Sequence, residues 1–201
     1  MLDQIPFAPY LISAFVGIGL AAATGFRVFM PLFVVSLSSY FGWIATNESF
    51  EWLSSLPSLI ATGVAMVVEI VAYYVPFVDN ILDTINIPLA TVAGSVIFAS
   101  QFVDVGPFMQ WALALIAGGG TAAAISSGFA GTRAASTTTT GGIGNSLVAT
   151  TETAGAGIMS TLAIAVPILA ALLAILLVVG FVIVGKKLWN RYKRSRNAEH
   201  L

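Results

Sequence analysis

Cysteine is absent from the 201 residues. Disulfides, thiolate metal sites and cysteine nucleophiles are therefore excluded. Histidine occurs once, at His200, so no Ser–His dyad and no His-ligated metal is available within the body of the chain. Charge is equally scarce. Only 8% of residues are charged, against about 25% in an ordinary soluble domain. With 58% hydrophobic residues and a mean hydropathy of +0.95, too few charges remain to clothe a soluble globule. The composition is that of an integral membrane protein.

The charges that are present are unevenly placed. Six of the eight basic residues fall in KKLWNRYKRSR: Lys186, Lys187, Arg191, Lys193, Arg194 and Arg196. Lys/Arg excess beside a spanning helix stays cytoplasmic, which predicts a cytoplasmic C-terminus with Trp189 and Tyr192 at the interface. A basic tail can also contact anionic lipid or nucleic acid. The topogenic role is the simpler one, and no nucleic-acid partner is expected. The opening MLDQIPFAPY lacks a basic n-region and a small-residue cleavage pattern, so no signal peptide is expected. A multi-pass membrane protein with its C-terminus in the cytoplasm is expected.

Apolar stretches occur at about 8–23, 28–46, 56–76, 88–103, 107–127 and 158–185. A spanning helix needs about 20 apolar residues. The fold class expected is therefore an all-α polytopic membrane protein, with about six transmembrane segments, broken or re-entrant helices and an internal repeat. Residues 1–185 form one transmembrane domain, with repeats over 8–76 and 107–185, and 186–201 form the basic tail. Residues 8–46 cannot be one helix, because it would be nearly twice as long as the bilayer core is thick. Gly25 and Pro31 place the break beside Arg27. Ser55 and Pro57 mark the start of a helix at 56.

Arg27 sits in GLAAATGFRVFMPLF, and Arg133 in a Gly/Thr/Ala-rich run over 117–157. The second run reads as a broken, partly re-entrant segment at membrane depth, where irregular backbone needs protein or a wet cavity to cover it. GLAAATGFR and GTAAAISSGFAGTR share a Gly, an Ala triplet, a Gly-Phe pair and an Arg, and Glu69 and Glu152 lie downstream of each. Paired broken segments point to a transporter-type site at a repeat interface. In VPFVDNILDTINIPLA, Val78, Ile81, Leu82 and Ile85 recur at helical spacing with Asp79 and Asp83 opposite, and Pro76 and Pro88 bracket them, as in a short amphipathic helix at a membrane surface. The two carboxylates are also a candidate cation site, but too few oxygen ligands for a dedicated metal centre.

An Arg at the centre of a spanning helix costs about 2.5–3.5 kcal/mol on translocon scales. Three arrangements offset that cost: snorkelling to an interface, internal pairing of Arg27 with Glu69 and of Arg133 with Glu152, or a wet cavity that holds an anion. Thr24, Thr137, Thr138 and Asn145 supply hydroxyls and an amide that replace solute hydration.

These motifs together resemble an uncharacterised family of small bacterial integral membrane proteins, grouped as a domain of unknown function. The resemblance rests on GLAAATGFRVFMPLF, the run from Glu69 through VPFVDNILDTI to Pro88–Gly94, and GTRAASTTTTGGIGN with the following Thr-Glu. Members carry an Arg where this chain has Ile87 and a Lys where it has Phe129. The resemblance implies no activity. The residues favour a small transporter or channel for a small polar or anionic solute, homo-oligomeric in the bilayer and needing no cofactor. The alternative is a scaffold or accessory subunit in which the Arg–Glu pairs are structural. No enzyme is expected.

Overall fold

The computed structural model describes residues 8–102 and 105–198, and every regular element among them is helical. The order is α1 (Ala8–Phe26), α2 (Phe29–Tyr40), a 3₁₀ turn (Glu48–Ser54), α3 (Leu56–Ala72), α4 (Pro76–Ser100), α5 (Pro107–Leu113), a π-helical turn (Ala114–Gly119), α6 (Gly120–Thr140), α7 (Asn145–Ala165) and α8 (Pro167–Ala198). Five helical stretches are long and apolar enough to span a bilayer, one of them the α5–α6 run Pro107–Thr140. The 3₁₀ turn and α3, bent by 67° at their junction, form a sixth if taken together. The chain is a multi-pass membrane protein.

Local chemistry accounts for the boundaries. Ser55 caps α3 by accepting from Ser58 N–H, and Pro57 follows at the second position. Pro31 falls in the first turn of α2, where its missing N–H leaves no bond unmade. The break at Arg27 turns the chain back on itself. Along α1, Gly17 lies against Phe98 and Gly25 against Ala122 and Ile125. Along α2, Val28 and Phe29 meet Glu69, whereas Ser36 donates to the Leu53 carbonyl and Asn47 N–H to that of Ser100. The two helices are therefore antiparallel, open toward the Ser100 end of α4, and meet at Arg27 inside the bundle.

Two expectations change. Residues 117–157 contain no extended irregular stretch. They belong to a helical hairpin whose only interruption is the turn over 141–144, with Gly141 and Gly142 at φ 63° and 92°. The hydroxyl-rich run stays helical because its side chains bond to their own helix. Thr138 and Thr139 donate to the Ala135 carbonyl, Thr140 to Ser136, and Thr150 to Ser146. Likewise, residues 75–90 are no separate surface helix. α4 runs through Pro88, and Asp79 is buried, because a cation inside the bundle holds the acidic face.

Small residues let the helices approach closely. A Cβ on Gly94 would meet Ala122 Cβ at 2.6 Å, and one on Gly118 would meet the Gly94 carbonyl oxygen at 2.7 Å. Phe129 packs between Phe26, tilted by 47°, and Phe181, met edge-on at 70°, with centroids 4.8 and 5.3 Å away. Phe129 is thus the middle of an aromatic column. Gly19 touches both Ala163 and Ala170, so α8 doubles back along α7. The exposed Lys186 and Lys187 consequently lie at the same end of the bundle as the α6–α7 turn. The side chains of Arg191, Tyr192, Arg194 and Arg196, and His200, lie outside the described residues.

Candidate functional site

Five segments bring their charges to one level of the bundle. Arg133 lies seven residues before the end of α6, and Glu152 seven residues into α7. At 1.5 Å per residue both sit about 10 Å inside the turn end. The tip of the α1–α2 hairpin delivers Arg27 to the same depth, α3 contributes Glu69, and the first turns of α4 contribute Asp79 and Asp83.

Glu152 is the hub. Its carboxylate receives Arg133 in a two-pronged arrangement, with Nε at 3.0 Å from Oε1 and Nη2 on Oε2. The same Oε2 is 3.4 Å from Arg27 Nη2. Arg133 Nη1 also reaches Asp79 and lies 3.4 Å from Asp83. Such forked, charge-assisted contacts are worth about 1.5–3 kcal/mol each, enough to offset the cost of placing a guanidinium at this depth. Of these groups only Asp83 is substantially open, its side chain 26% exposed.

Arg27 is wholly buried. Its Nε donates to Thr153 Oγ1 at 3.1 Å and its Nη2 to the Ala149 carbonyl at 2.9 Å. Nη1 has no hydrogen-bond partner among the described residues. The guanidinium lies 3.6 Å above the Tyr73 ring, and that of Arg133 lies 4.5 Å from the same ring centre. One buried aromatic ring therefore carries both cations through its negative π face. Tyr73 follows Glu69 by one helical turn, the spacing that would have marked it in the sequence.

Glu69 does not pair with Arg27 by hydrogen bond. Its two oxygens accept the backbone N–H groups of Val28 and Phe29, each at 2.9 Å. The broken helix exposes unsatisfied donors and the positive end of its dipole, and a carboxylate from a neighbouring helix answers both. The break that admits Arg27 thus also creates the anchor for α3.

The remaining expected residues divide. Thr24 is buried but donates to the Leu20 carbonyl of its own helix. Thr138 is exposed and turned back to Ala135. Thr137 accepts from Asn145 Nδ2 at 3.1 Å across the turn. Both line a cavity of about 410 Å³ together with Tyr73, Tyr74, Asp79 and Ser146. This vestibule opens at the α6–α7 turn and ends on the Tyr73 ring and Asp79, so it joins the surface to the charged cluster. Tyr74 reaches Thr150 at 2.9 Å along its wall. Thr153 and Ala149 do not stand out in the sequence; for Ala149 no side-chain signal exists, because its carbonyl is the contact.

The model of a family described as a domain of unknown function (DUF4126) matches residues 14–187. No curated protein and no solved structure matches the chain.

Proposed function

The chain belongs to the DUF4126 family, and we propose that it forms a passage across a bacterial inner membrane for a small cation or a proton-linked polar solute. The observation that carries this reading is the charge at the foot of the vestibule. Arg27 and Arg133 face Glu69, Asp79, Asp83 and Glu152, so two guanidiniums meet four carboxylates. Three of these carboxylates are buried and Asp83 is partly exposed, and this excess of negative charge over the two guanidiniums is costly unless protons or a cation join it. The anionic solute suggested by the arginines alone fits less well, because every guanidinium nitrogen except Arg27 Nη1 is engaged by the protein.

The vestibule opens at the end that bears Lys186 and Lys187. With a cytoplasmic basic tail, it opens to the cytoplasm. We take the assembly to be a homo-oligomer without cofactor or catalytic role. Purified protein in liposomes, loaded with a pH-sensitive or cation-sensitive dye, tests the reading. Flux of protons or monovalent cations above that of empty liposomes is expected, and Asp83→Asn should lower it at least tenfold while melting close to wild type. Absence of any such flux from folded wild-type protein would refute it.

A scaffold is the second reading, favoured by the near-complete pairing of the charges. It requires that charge-neutralising substitutions change melting temperature only, with no flux to lose.

A further inference from the structure

α3 and α4 follow one another with only three residues between them, yet α3 packs on α2 and the 3₁₀ turn rather than on α4. Of its 17 residues only Ser58 and Glu69 are buried. The space left between α3 and α4 is a cavity of about 170 Å³ walled by Val68, Ala72, Leu82, Ile85 and Leu89, with Glu69 and Tyr73 at its inner end. Val68, Ile85 and Leu89 are exposed, so its mouth faces the hydrocarbon of the bilayer. Tyr73 also bounds the polar vestibule. An apolar groove open to lipid and a polar chamber open to water therefore meet at one side chain. On α4, Asp79 and Asp83 stand two turns and one turn before Asn86, which lines the groove.

We propose that this groove binds the apolar body of a small amphiphilic cation, whose charged head is drawn to the partly exposed carboxylate of Asp83, one turn from Asn86 on α4. The inference rests on the cationic reading above and names the substrate class for it. Charge complementarity selects the head: Asp79 and Glu152 are bonded to Arg133, Asp83 is 26% exposed, and every guanidinium nitrogen but Arg27 Nη1 is engaged by the protein. Volume selects the body. A groove of about 170 Å³ suits a short alkyl chain rather than a whole lipid tail. A longer chain would trail into the bilayer and gain nothing further from the protein.

The test is calorimetric titration of full-length protein in phosphatidylcholine nanodiscs, with empty nanodiscs subtracted. Three probes are compared: tetramethylammonium, pentyltrimethylammonium and pentyl sulfate. Each buried methylene strengthens binding about fourfold, so the pentyl cation should bind well over tenfold more tightly than tetramethylammonium. Leu89→Trp, which fills the groove from its lipid-facing rim, should erase that advantage and leave tetramethylammonium binding unchanged. Ile85→Trp gives the same readout should the first variant fail to fold. Asp83→Asn should weaken both cations at least fivefold.

Equal binding of pentyl sulfate, or indifference to both tryptophan substitutions, would overturn the proposal and leave the groove as ordinary lipid packing. Heat no greater than that of empty discs would also overturn it. Binding is read without flux, so the two ideas fail separately. Specific binding without transport removes the passage and keeps the site. Flux without chain-length preference removes the site and keeps the passage.

Discussion

Glu69 offers the sharpest test of how the helix break is held. Glu69→Ala would leave the N–H groups of Val28 and Phe29 buried without acceptors. An orphaned buried donor costs about 1–3 kcal/mol, so two cost roughly 2–6 kcal/mol together. Glu69→Gln keeps one acceptor oxygen but loses the charge assistance, and should cost about half as much. For a chain of about 200 residues each kcal/mol moves Tm by about 2–4 °C. A loss near 4 kcal/mol therefore lowers Tm by roughly 8–16 °C for Ala and about half that for Gln. Melting in detergent micelles measures this, and hydrogen exchange over residues 26–33 locates it. The Val28 and Phe29 amides should exchange at least tenfold faster in Glu69→Ala. Arg27→Gln should also destabilise, but additively with Glu69→Ala, because the two side chains share no hydrogen bond. A coupling above about 1 kcal/mol in the double-mutant cycle would restore the Arg27–Glu69 pair and refute the capping role. Melting of Glu69→Ala within 2 °C of wild type would refute it as well.

Glu152→Gln loosens both arginines at once, and breaking a buried pair costs about 3–5 kcal/mol. It should give the largest fall in Tm among single carboxylate-to-amide changes, whereas Asp83→Asn, partly exposed, should melt within a few degrees of wild type. Gly118→Val would put a Cβ 2.5 Å from Phe98 Cβ, so no monodisperse protein is expected on size-exclusion chromatography. Thr138→Ala removes a hydroxyl bonded only to the Ala135 carbonyl at an exposed position and should change stability by less than about 0.5 kcal/mol in denaturant melts. The chain has no cysteine of its own, so Ser146→Cys and Lys187→Cys can be labelled cleanly in vesicles with a membrane-impermeant maleimide. Both should react from the same side, and labelling from opposite sides would contradict the antiparallel packing of α7 and α8.

Much of the architecture is legible in the order of the residues. Scarce charge and long apolar stretches specify a polytopic helical protein. The short stretches at 8–23 and 88–103 reach spanning length by recruiting their flanks. Gly25 and Pro31 locate the break at Arg27, and Ser55 locates the start of α3. These features are local: each follows from backbone freedom, a missing N–H or a capping hydroxyl within a few residues. The Thr-rich run misleads for an equally local reason. A threonine hydroxyl can hydrate a solute or return to its own helix, and composition is the same in both cases. Pro88 misleads similarly, because a proline weakens a helix without deciding whether tertiary contacts carry the helix through it.

The partners of the charges lie beyond the sequence. It determines that Arg27, Arg133, Glu69, Asp79, Asp83 and Glu152 lie within or beside apolar stretches, and that such charges must find one another inside the bilayer. It does not determine which meets which. Glu69 stands 42 residues from Arg27, and Glu152 stands 125, so proximity along the chain favours the wrong partner. Only the packing of α1 against α7 brings Glu152 and the Ala149 carbonyl to the guanidinium, and only the reversal after Phe26 presents the free N–H groups that claim Glu69. A charge in a low-dielectric interior pairs with whatever the fold brings within about 4 Å, and that distance is set by helix packing rather than by sequence order.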